Sequence, residues 1–223
     1  MAKLYVVGTP IGNLEDVTLR ALRTLKEADL ILCEDTRVTS KLLKHYNIGT
    51  PTLSYHQHSR LTKINQILSM LREGKTLALV TDAGTPGISD PGGVLVSKIR
   101  EEFGDVVEVI PGPSALTAAL SISGLPEQEF TFLGFLPHKK GRETLFKEIA
   151  SSKKLFVFYE STHRLTKTLE SLKKFSPLKK VVVAKELTKI FEEVISGAPE
   201  EVLKYFEMNK EKQRGEFVIM VAP

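Results

Sequence analysis

The chain has 223 residues, of which 42% are hydrophobic and 26% are charged, and its formal net charge at pH 7 is +4. This composition is typical of a folded protein and excludes a mainly disordered chain. The longest apolar runs have the length of a strand, far below the ~20 residues of a membrane span, so we expect no membrane partner. No secretory signal pattern precedes the first strand-like run, and the single cysteine, Cys33, excludes an internal disulfide. We therefore expect a cytoplasmic protein.

The first half of the chain alternates short β-branched runs with amphipathic stretches of helix length. Strands are predicted at residues 4–7, 30–33, 76–81 and 106–110. Helices are predicted between them, for example at residues 17–28 and 61–71. This alternation predicts a parallel α/β sheet, and ligands bind such sheets in the crevice beyond the carboxyl ends of the strands.

Three of these strands run into segments that are rich in glycine and proline, at residues 8–13, 82–92 and 111–114. The second segment is longer than the ~2–6 residues that usually connect a strand to a helix, which indicates a functional loop. The alternative is an elaborate turn in which Asp90 caps the next helix ahead of Pro91.

The pattern changes near residue 114. A helix of small residues is predicted at 114–123, followed by strands at 130–135, 155–159, 181–184 and 217–221. We therefore predict a parallel-sheet α/β domain over residues 1–114 and an α+β domain with a mixed sheet over residues 115–223.

The positive charge belongs to the second half. Residues 1–114 carry 13 Lys and Arg against 13 Asp and Glu, whereas residues 115–223 carry 18 against 14. The excess is concentrated between residues 137 and 180, and such clusters attract phosphate backbones. Nucleic acid is therefore a candidate partner. The alternative is a solvated, Lys- and Glu-rich surface of the kind that thermophilic proteins favour.

Several other motifs are too weak to carry a function. Gly8 and Gly12 follow the first strand, but the G-x-G-x-x-G pattern of dinucleotide-binding proteins is absent, and Pro10 removes an N–H donor. His56 and His58 have no third ligand at a suitable spacing, so no metal site is predicted. The loop at residues 82–92 has carboxylates and little positive charge, which suits S-adenosylmethionine, because its sulfonium tolerates nearby carboxylates.

A set of segments also matches a known family. They are GTPIGNL (8–14), CEDTR (33–37), SYHQH (54–58), residues 80–92, PGPSA (111–115), GFLPHKKG (134–141), YESTHR (159–164) and KELTK (185–189). In order, they resemble the ribosomal RNA small-subunit methyltransferase I family of the tetrapyrrole methylase superfamily. The resemblance extends from Lys3 to about Val221. It implies the two-lobed α/β fold of tetrapyrrole methylases, a homodimer, and S-adenosylmethionine bound between the lobes.

The resemblance further implies methyl transfer to the ribose 2′-hydroxyl of a cytidine in the decoding region of 16S rRNA. The expected partner is small-subunit rRNA or the 30S particle. The cofactor residues carried over are Pro10, Ile11, Asp82, Ala83, Gly84, Thr85, Ser114, Ala115, Tyr159, Ala184 and Glu216. The expected substrate contacts are Arg37, Lys139, Lys140, Arg142, His163 and Arg164.

A ribose hydroxyl is a poor nucleophile until a general base accepts its proton. Asp35, Glu160 and Lys185 are the candidate bases, because each follows a strand within a matched segment; Lys185 serves only in its neutral form. For all three the alternative is a structural ion pair, such as Asp35 with Arg37 or Glu160 with Arg164. Two further functions stay open: a methylase that acts on a tetrapyrrole ring, and a non-catalytic RNA-binding or ribosome-assembly factor.

Overall fold

The computed structural model describes residues 2–55, 61–90, 92–126 and 128–223. The chain divides into two compact units, Met1–Ser114 and Ala115–Pro223, which we call the N-terminal and C-terminal units. Within the described residues, no helix combines the length and the apolar character that crossing a bilayer requires.

The N-terminal unit alternates strands with helices. The strands are β1 (Lys3–Val7), β2 (Leu30–Cys33), β3 (Thr52–Ser54), β4 (Thr76–Leu79) and β5 (Val107–Ile110). The helices are α1 (Leu19–Glu27), α2 (Thr36–His45), α3 (Leu61–Arg72) and α4 (Gly92–Phe103), and a 3₁₀ turn spans Leu14–Asp16. The side chain of Thr18 caps α1 by accepting a hydrogen bond from the Ala21 N–H (3.0 Å).

The strands of this unit form a sheet in the order β3-β2-β4-β1-β5, and all the pairs are parallel. Both faces of the sheet are buried. In β4, for example, Leu77 and Leu79 belong to one apolar cluster and Ala78 to the other. Helices α1 and α2 contribute to the cluster on one face, whereas α3 and α4 contribute to the cluster on the other. Burial on both faces explains why the central strands are almost continuously apolar.

The C-terminal unit contains a mixed sheet. The strands are β6 (Phe130–Phe135), β7 (Leu155–Ser161), β8 (Val181–Lys185), β9 (Glu193–Gly197) and β10 (Glu216–Val221). The helices are α5 (Ala115–Ile122), α6 (Arg142–Ser151), α7 (Leu165–Phe175) and α8 (Pro199–Met208), and a 3₁₀ turn spans Lys210–Gln213. The strand order is β6-β7-β10-β8-β9; β6 is parallel to β7, and the other pairs are antiparallel. The apolar core contains Phe158, Val183 and Ile219 from the sheet together with Phe146, Leu169 and Phe206 from α6, α7 and α8.

These observations confirm the predicted fold class, a parallel-sheet α/β unit followed by a mixed-sheet α+β unit. Each predicted strand and helix is present, with ends within two residues of the prediction. The sequence analysis did not predict β3 and β9, each of which lies at one edge of its sheet, although it did predict β5 and β6 at the opposite edges. β3 has only three residues and β9 alternates half-buried and exposed residues, so the apolar pattern of both is weak.

Candidate functional site

The carboxyl ends of β1, β2, β4 and β5 lie at the same edge of the N-terminal sheet, because these strands are parallel. The loops that follow them contain most of the residues predicted to bind a cofactor. Two direct backbone contacts join these loops.

The first contact joins the loops after β1 and β5. Gly8 and Gly112 pack against each other so closely that a Cβ atom on Gly8 would lie 2.7 Å from the Cα of Gly112. A Cβ on Gly112 would lie equally close, 2.7 Å from the carbonyl oxygen of Gly8. Only glycine fits at both positions, because any side chain would push the two loops apart.

The second contact joins the loops after β1 and β4. Thr9 and Gly84 form an antiparallel bridge in which the Thr9 N–H donates to the Gly84 carbonyl (2.9 Å) and the Gly84 N–H donates to the Thr9 carbonyl (3.1 Å). Gly84 has a φ of +83°, a conformation that glycine adopts without strain. The Thr85 hydroxyl donates to the Pro113 carbonyl (3.3 Å), which adds the loop after β5 to the same assembly.

The predicted cofactor residues of this unit therefore lie on connected loops. Ile11 and Gly84 are buried, and a Cβ on Gly84 would lie 3.5 Å from the Ile11 side chain. Asp82 and Ala83 are exposed. Pro10, Thr85 and Ser114 are half-buried, as is Ala115, the first residue of α5. The edge presents backbone groups and one exposed carboxylate, an arrangement suited to a ligand with hydroxyl or ammonium donors.

Asp82 and Asp35 come together at this edge. The Asp82 carboxylate accepts a hydrogen bond from the Asp35 N–H (3.0 Å). Partial burial raises the pKa of Asp82, and the nearby Asp35 charge adds to this effect. The Asp35 carboxylate forms hydrogen bonds with the Arg37 side chain, the shortest at 2.6 Å, and with the Arg37 N–H (2.8 Å) as the cap of α2. These bonds lower the pKa of Asp35 to about 2, so Asp35 has the ion pair foreseen as the alternative to catalysis.

The second half of the long loop contains the predicted helix cap. The Asp90 carboxylate accepts hydrogen bonds from the N–H groups of Gly87 (2.8 Å) and Gly92 (2.7 Å). Gly92 is the first residue of α4, so Asp90 stabilises the start of this helix. The predicted helix cap at Asp90 is therefore present in the second part of the loop, whereas residues 82–85 contact the neighbouring loops.

In the C-terminal unit, β7 ends in a pair of residues with different surroundings. The Tyr159 ring makes edge contacts with Phe132 and Phe135, with ring centroids 5.0 and 5.5 Å away. The Glu160 carboxylate is buried, lies 3.4 Å from Arg164 Nε, and accepts hydrogen bonds from the main chain and from α7. Its ion-pair alternative is therefore also present in the structure.

The predicted substrate contacts fall into two groups. Arg142 and Arg164 donate to backbone carbonyls and to the interior of the unit. Burial lowers the pKa of Arg142, and the Arg164 charge contributes. By contrast, Lys139, Lys140 and His163 are exposed, and within the described residues none of the three has an ion-pair partner.

The remaining predicted residues lie at the end of β8 and at the start of β10, which pairs with it. Ala184 is buried within the sheet, and Lys185 is buried with its Nζ donating to the Phe191 carbonyl (3.4 Å). Glu216 is exposed and pairs with Lys189 (2.9 Å). No described residue lies within ion-pair distance of Lys185, which distinguishes it from the two carboxylate candidates.

Two groups of residues that hold the candidate site together were not among the predicted site residues. Gly8, Thr9 and Gly112 form the loop contacts of the N-terminal unit, and the glycine-rich composition after each strand was the available signal. Thr168 links the charges of the C-terminal unit, and no motif marks it. The described His, Cys, Asp and Glu residues form no metal-binding cluster; His56 and His58 lie outside the described residues.

Comparisons with known proteins show the family and the fold of the chain. The model of the family described as Tetrapyrrole (Corrin/Porphyrin) Methylases matches residues 3–203. The chain is 46% identical to Ribosomal RNA small subunit methyltransferase I of Thermotoga maritima, covering 100% of this chain and 99% of that protein. It is 48% identical to the protein of the same name from Halalkalibacterium halodurans, covering 98% of this chain and 75% of that protein.

Among solved structures, the fold is similar to that of uroporphyrin-III C-methyltransferase from Thermus thermophilus, which was crystallised with S-adenosylhomocysteine. The TM-score is 0.67 and the sequence identity 22%, and the match covers 99% of this chain and 97% of that one.

Proposed function

The chain belongs to the tetrapyrrole (corrin/porphyrin) methylase family, and from this premise we propose that it transfers a methyl group from S-adenosylmethionine to the ribose 2′-hydroxyl of a cytidine in the decoding region of 16S rRNA. The observation that carries the proposal is the end-to-end identity of 46% with a relative named Ribosomal RNA small subunit methyltransferase I. The exposed Lys139 and Lys140 support an RNA substrate, because exposed lysines contact phosphates.

For the cofactor, we propose the connected loops of the N-terminal unit. The bound S-adenosylhomocysteine of the Thermus thermophilus enzyme supports this ligand class. Asp82 is exposed and suits the ribose hydroxyls or the ammonium group of such a ligand. Gly84 has no side chain and therefore leaves room for a ligand beside its backbone, whose N–H and C=O groups are bonded to Thr9. From the C-terminal unit, Tyr159, Ala184 and Glu216 stay proposed contacts.

The cofactor supplies an electrophilic methyl group, and the remaining work of the chain is to align and deprotonate the ribose hydroxyl. Of the three candidate bases, Asp35 has a pKa of about 2 and is a weak base. Both oxygens of Glu160 already accept hydrogen bonds inside the C-terminal unit. Lys185 lacks an ion-pair partner within the described residues, and we propose its amine as the base.

A labelling experiment tests the reaction. The chain is incubated with S-adenosylmethionine labelled in its methyl group and with naked small-subunit rRNA, assembled 30S particles or a tetrapyrrole precursor. The expected result is label in RNA that is recovered as 2′-O-methylcytidine after nuclease digestion. Label on a base contradicts the assigned position, and RNA binding without label indicates an assembly factor.

The tetrapyrrole precursor is included because the matched family is described by that substrate class and the solved neighbour acts on such a ring. Label in this arm alone replaces the RNA proposal with a small-molecule methylase. This outcome leaves the proposed cofactor loops intact, so a separate experiment addresses them.

The cofactor loops are tested with Gly84→Val and calorimetry of S-adenosylhomocysteine. We expect affinity to fall at least about tenfold, because the new side chain occupies the space where the ligand meets the backbone. Gly74→Val is the matched control: Gly74 has a nearly identical φ of +82°, against +83° for Gly84, but it lies in open space in the turn before β4. Both variants carry the same backbone strain. Equal affinity in both would contradict the proposed location.

A further inference from the structure

Glu160 is the centre of a buried charge network in the C-terminal unit. Its side chain is 0% exposed. One carboxylate oxygen accepts from the Ser161 N–H (2.8 Å) and lies 3.4 Å from Arg164 Nε; the other accepts from the Thr168 hydroxyl (2.6 Å). The Thr168 hydroxyl in turn accepts from Arg142 Nη2 (2.7 Å). One hydroxyl therefore links the carboxylate to a second guanidinium.

The network holds two guanidinium groups and one carboxylate, so further acceptors are needed for the arginine donors. Arg164 Nη2 donates to the Leu136 carbonyl (2.5 Å) and lies 3.3 Å from the Pro137 carbonyl. Arg142 Nη1 donates to the same Pro137 carbonyl (3.2 Å). The Arg142 guanidinium also lies 5.0 Å from the centre of the Phe146 ring. Both arginines are thus directed at one dipeptide of the main chain.

That dipeptide begins the loop that carries the exposed lysines. The loop follows β6 and reaches α6, which begins at Arg142. Leu136 is 1% exposed and anchors the start of the loop in the core. At its end, the Arg142 N–H donates to the Lys139 carbonyl (3.2 Å). The same charge network therefore holds both ends of the segment that contains Lys139 and Lys140.

We propose that Glu160, Thr168, Arg142 and Arg164 are positioning residues that fix the loop between β6 and α6, so that Lys139 and Lys140 meet the RNA backbone already ordered. The inference rests on the proposed function, whose RNA substrate it takes as given. It assigns Glu160 a role other than general base. Phosphate contacts on a fixed loop gain affinity because less conformational entropy is lost when RNA binds.

Thr168 provides a closely matched pair of variants. Thr168→Val keeps the shape of the side chain but removes the hydroxyl, whereas Thr168→Ser keeps the hydroxyl. We expect Thr168→Val to raise the rate of trypsin cleavage after Lys139 or Lys140 about tenfold. The reason is that the hydrogen bonds of the Thr168 hydroxyl to Glu160 and Arg142 are lost, so the loop opens more often. Thr168→Ser restores the wild-type rate. Cleavage after Lys153 or Lys154, at exposed residues outside the network, stays unchanged in both and serves as the internal control.

Methylation kinetics give the second readout. In Thr168→Val, the KM for the RNA substrate should rise severalfold while kcat at saturating RNA and its pH profile stay at the wild-type values. A fall in kcat with an unchanged KM would place the network in the chemical step and overturn the inference. Equal trypsin rates in Thr168→Val and the wild type would also overturn it.

The two proposals fail separately. If the wild-type chain methylates no RNA, the proposed function fails, and the trypsin rates still report whether the network fixes the loop. If Thr168→Val does not fold, Arg142→Lys replaces it. This variant keeps the charge but loses the planar group that reaches both Thr168 and Pro137. The same increase in cleavage is expected, and its absence contradicts the inference.

Discussion

The two units stabilise the segments that we propose to bind ligands by opposite means. In the N-terminal unit, the loops after the strands are joined through backbone atoms, by the packing of Gly8 on Gly112 and the bridge of Thr9 with Gly84. In the C-terminal unit, the loop before α6 is joined to the fold through charged side chains around Glu160. The loops of the N-terminal unit depend on glycines, which have no side chains, whereas the loop of the C-terminal unit depends on the charged side chains around Glu160.

This difference suits two kinds of ligand. A backbone edge permits close approach to N–H and C=O groups, which a small cofactor requires. Arg142 and Arg164 hold the other loop through its backbone carbonyls, so its lysines stay exposed to solvent. Exposed lysines are what contact with a phosphate backbone requires. The units should therefore respond differently to substitution: the C-terminal unit to loss of a charge, and the N-terminal unit to gain of a single carbon atom.

Removal of the central carboxylate has the largest expected effect. Glu160→Ala leaves Arg164, whose side chain is 15% exposed, without its anionic partner. Loss of one partner of a buried ion pair costs about 3–5 kcal/mol, because the other charge stays buried. Urea denaturation measures the change in the free energy of unfolding. Glu101→Ala, which removes an exposed ion pair with Lys98, is the control and should be indistinguishable from wild type. Equal free energies of unfolding of the two variants would show that the charge network does not stabilise the C-terminal unit.

Addition of one methyl group is the matching test of the N-terminal unit. Gly8→Ala places a Cβ where the nearest atom lies at 2.7 Å, so the two loops must separate. We expect a loss of about 1–3 kcal/mol in the free energy of unfolding, the usual cost of overpacking. Gly49→Ala is the control, since a Cβ at Gly49 meets no atom within 4 Å.

The reciprocal variant sharpens this test. Gly112→Ala should cost a similar amount, and the double variant should cost less than the sum of the two, because loops that are already separated accommodate the second methyl. Additive costs would indicate that the two glycines act independently.

How far the sequence predicts this molecule differs between the same two units. The central strands were found because burial on both faces makes them apolar and β-branched; of the four edge strands, β5 and β6 were also found, whereas β3 and β9 were not. β9 alternates half-buried and exposed residues, and β3 has only three residues. The loops proposed to bind the cofactor were selected from their glycine and proline content, which reflects the backbone conformations that these turns require.

Of the charge network, the sequence indicated only the ion pair of Glu160 with Arg164, as the alternative to catalysis. Charge density alone marked Arg142 and Arg164 as phosphate contacts, but it does not reveal that their N–H groups are used by the carbonyls of Leu136 and Pro137. Thr168 joins the network only because α7 packs beside the end of β7. Such contacts depend on the packing of elements and leave no local pattern.

A smaller effect is expected at Asp82, where stability and binding should move in opposite directions. Asp82→Asn keeps an oxygen that accepts from the Asp35 N–H but removes a charge whose pKa is raised by desolvation. A raised acid pKa means that the charged form destabilises the fold, so at pH 7 the variant should gain a small amount of stability, which solvent screening at this exposed position reduces further. The gain should disappear below the unfolded value of 3.8, where both states are protonated.

Calorimetry of S-adenosylhomocysteine completes the Asp82 test. Affinity for this ligand should fall about tenfold in Asp82→Asn, because a charged hydrogen bond to the cofactor is replaced by a neutral one. A variant that gains stability and keeps its affinity would remove Asp82 from the proposed cofactor contacts.

The smallest expected effect concerns the exposed pair of Asp35 and Arg37. Hydrogen bonds from the Arg37 side chain and N–H lower the Asp35 pKa to about 2, so this pair stabilises the fold above pH 3.8 and stops doing so as the pH falls through about 2. In Arg37→Gln the N–H remains, and the Asp35 midpoint, measured by carboxyl NMR, should move part of the way towards 3.8. Arg23→Gln, at an exposed position on α1, should leave it unchanged. An unchanged midpoint in Arg37→Gln would mean that the hydrogen bond from the Arg37 N–H, the cap of α2, sets the Asp35 pKa without help from the guanidinium. Asp35 would then be held by the main chain, as the neighbouring glycine loops are.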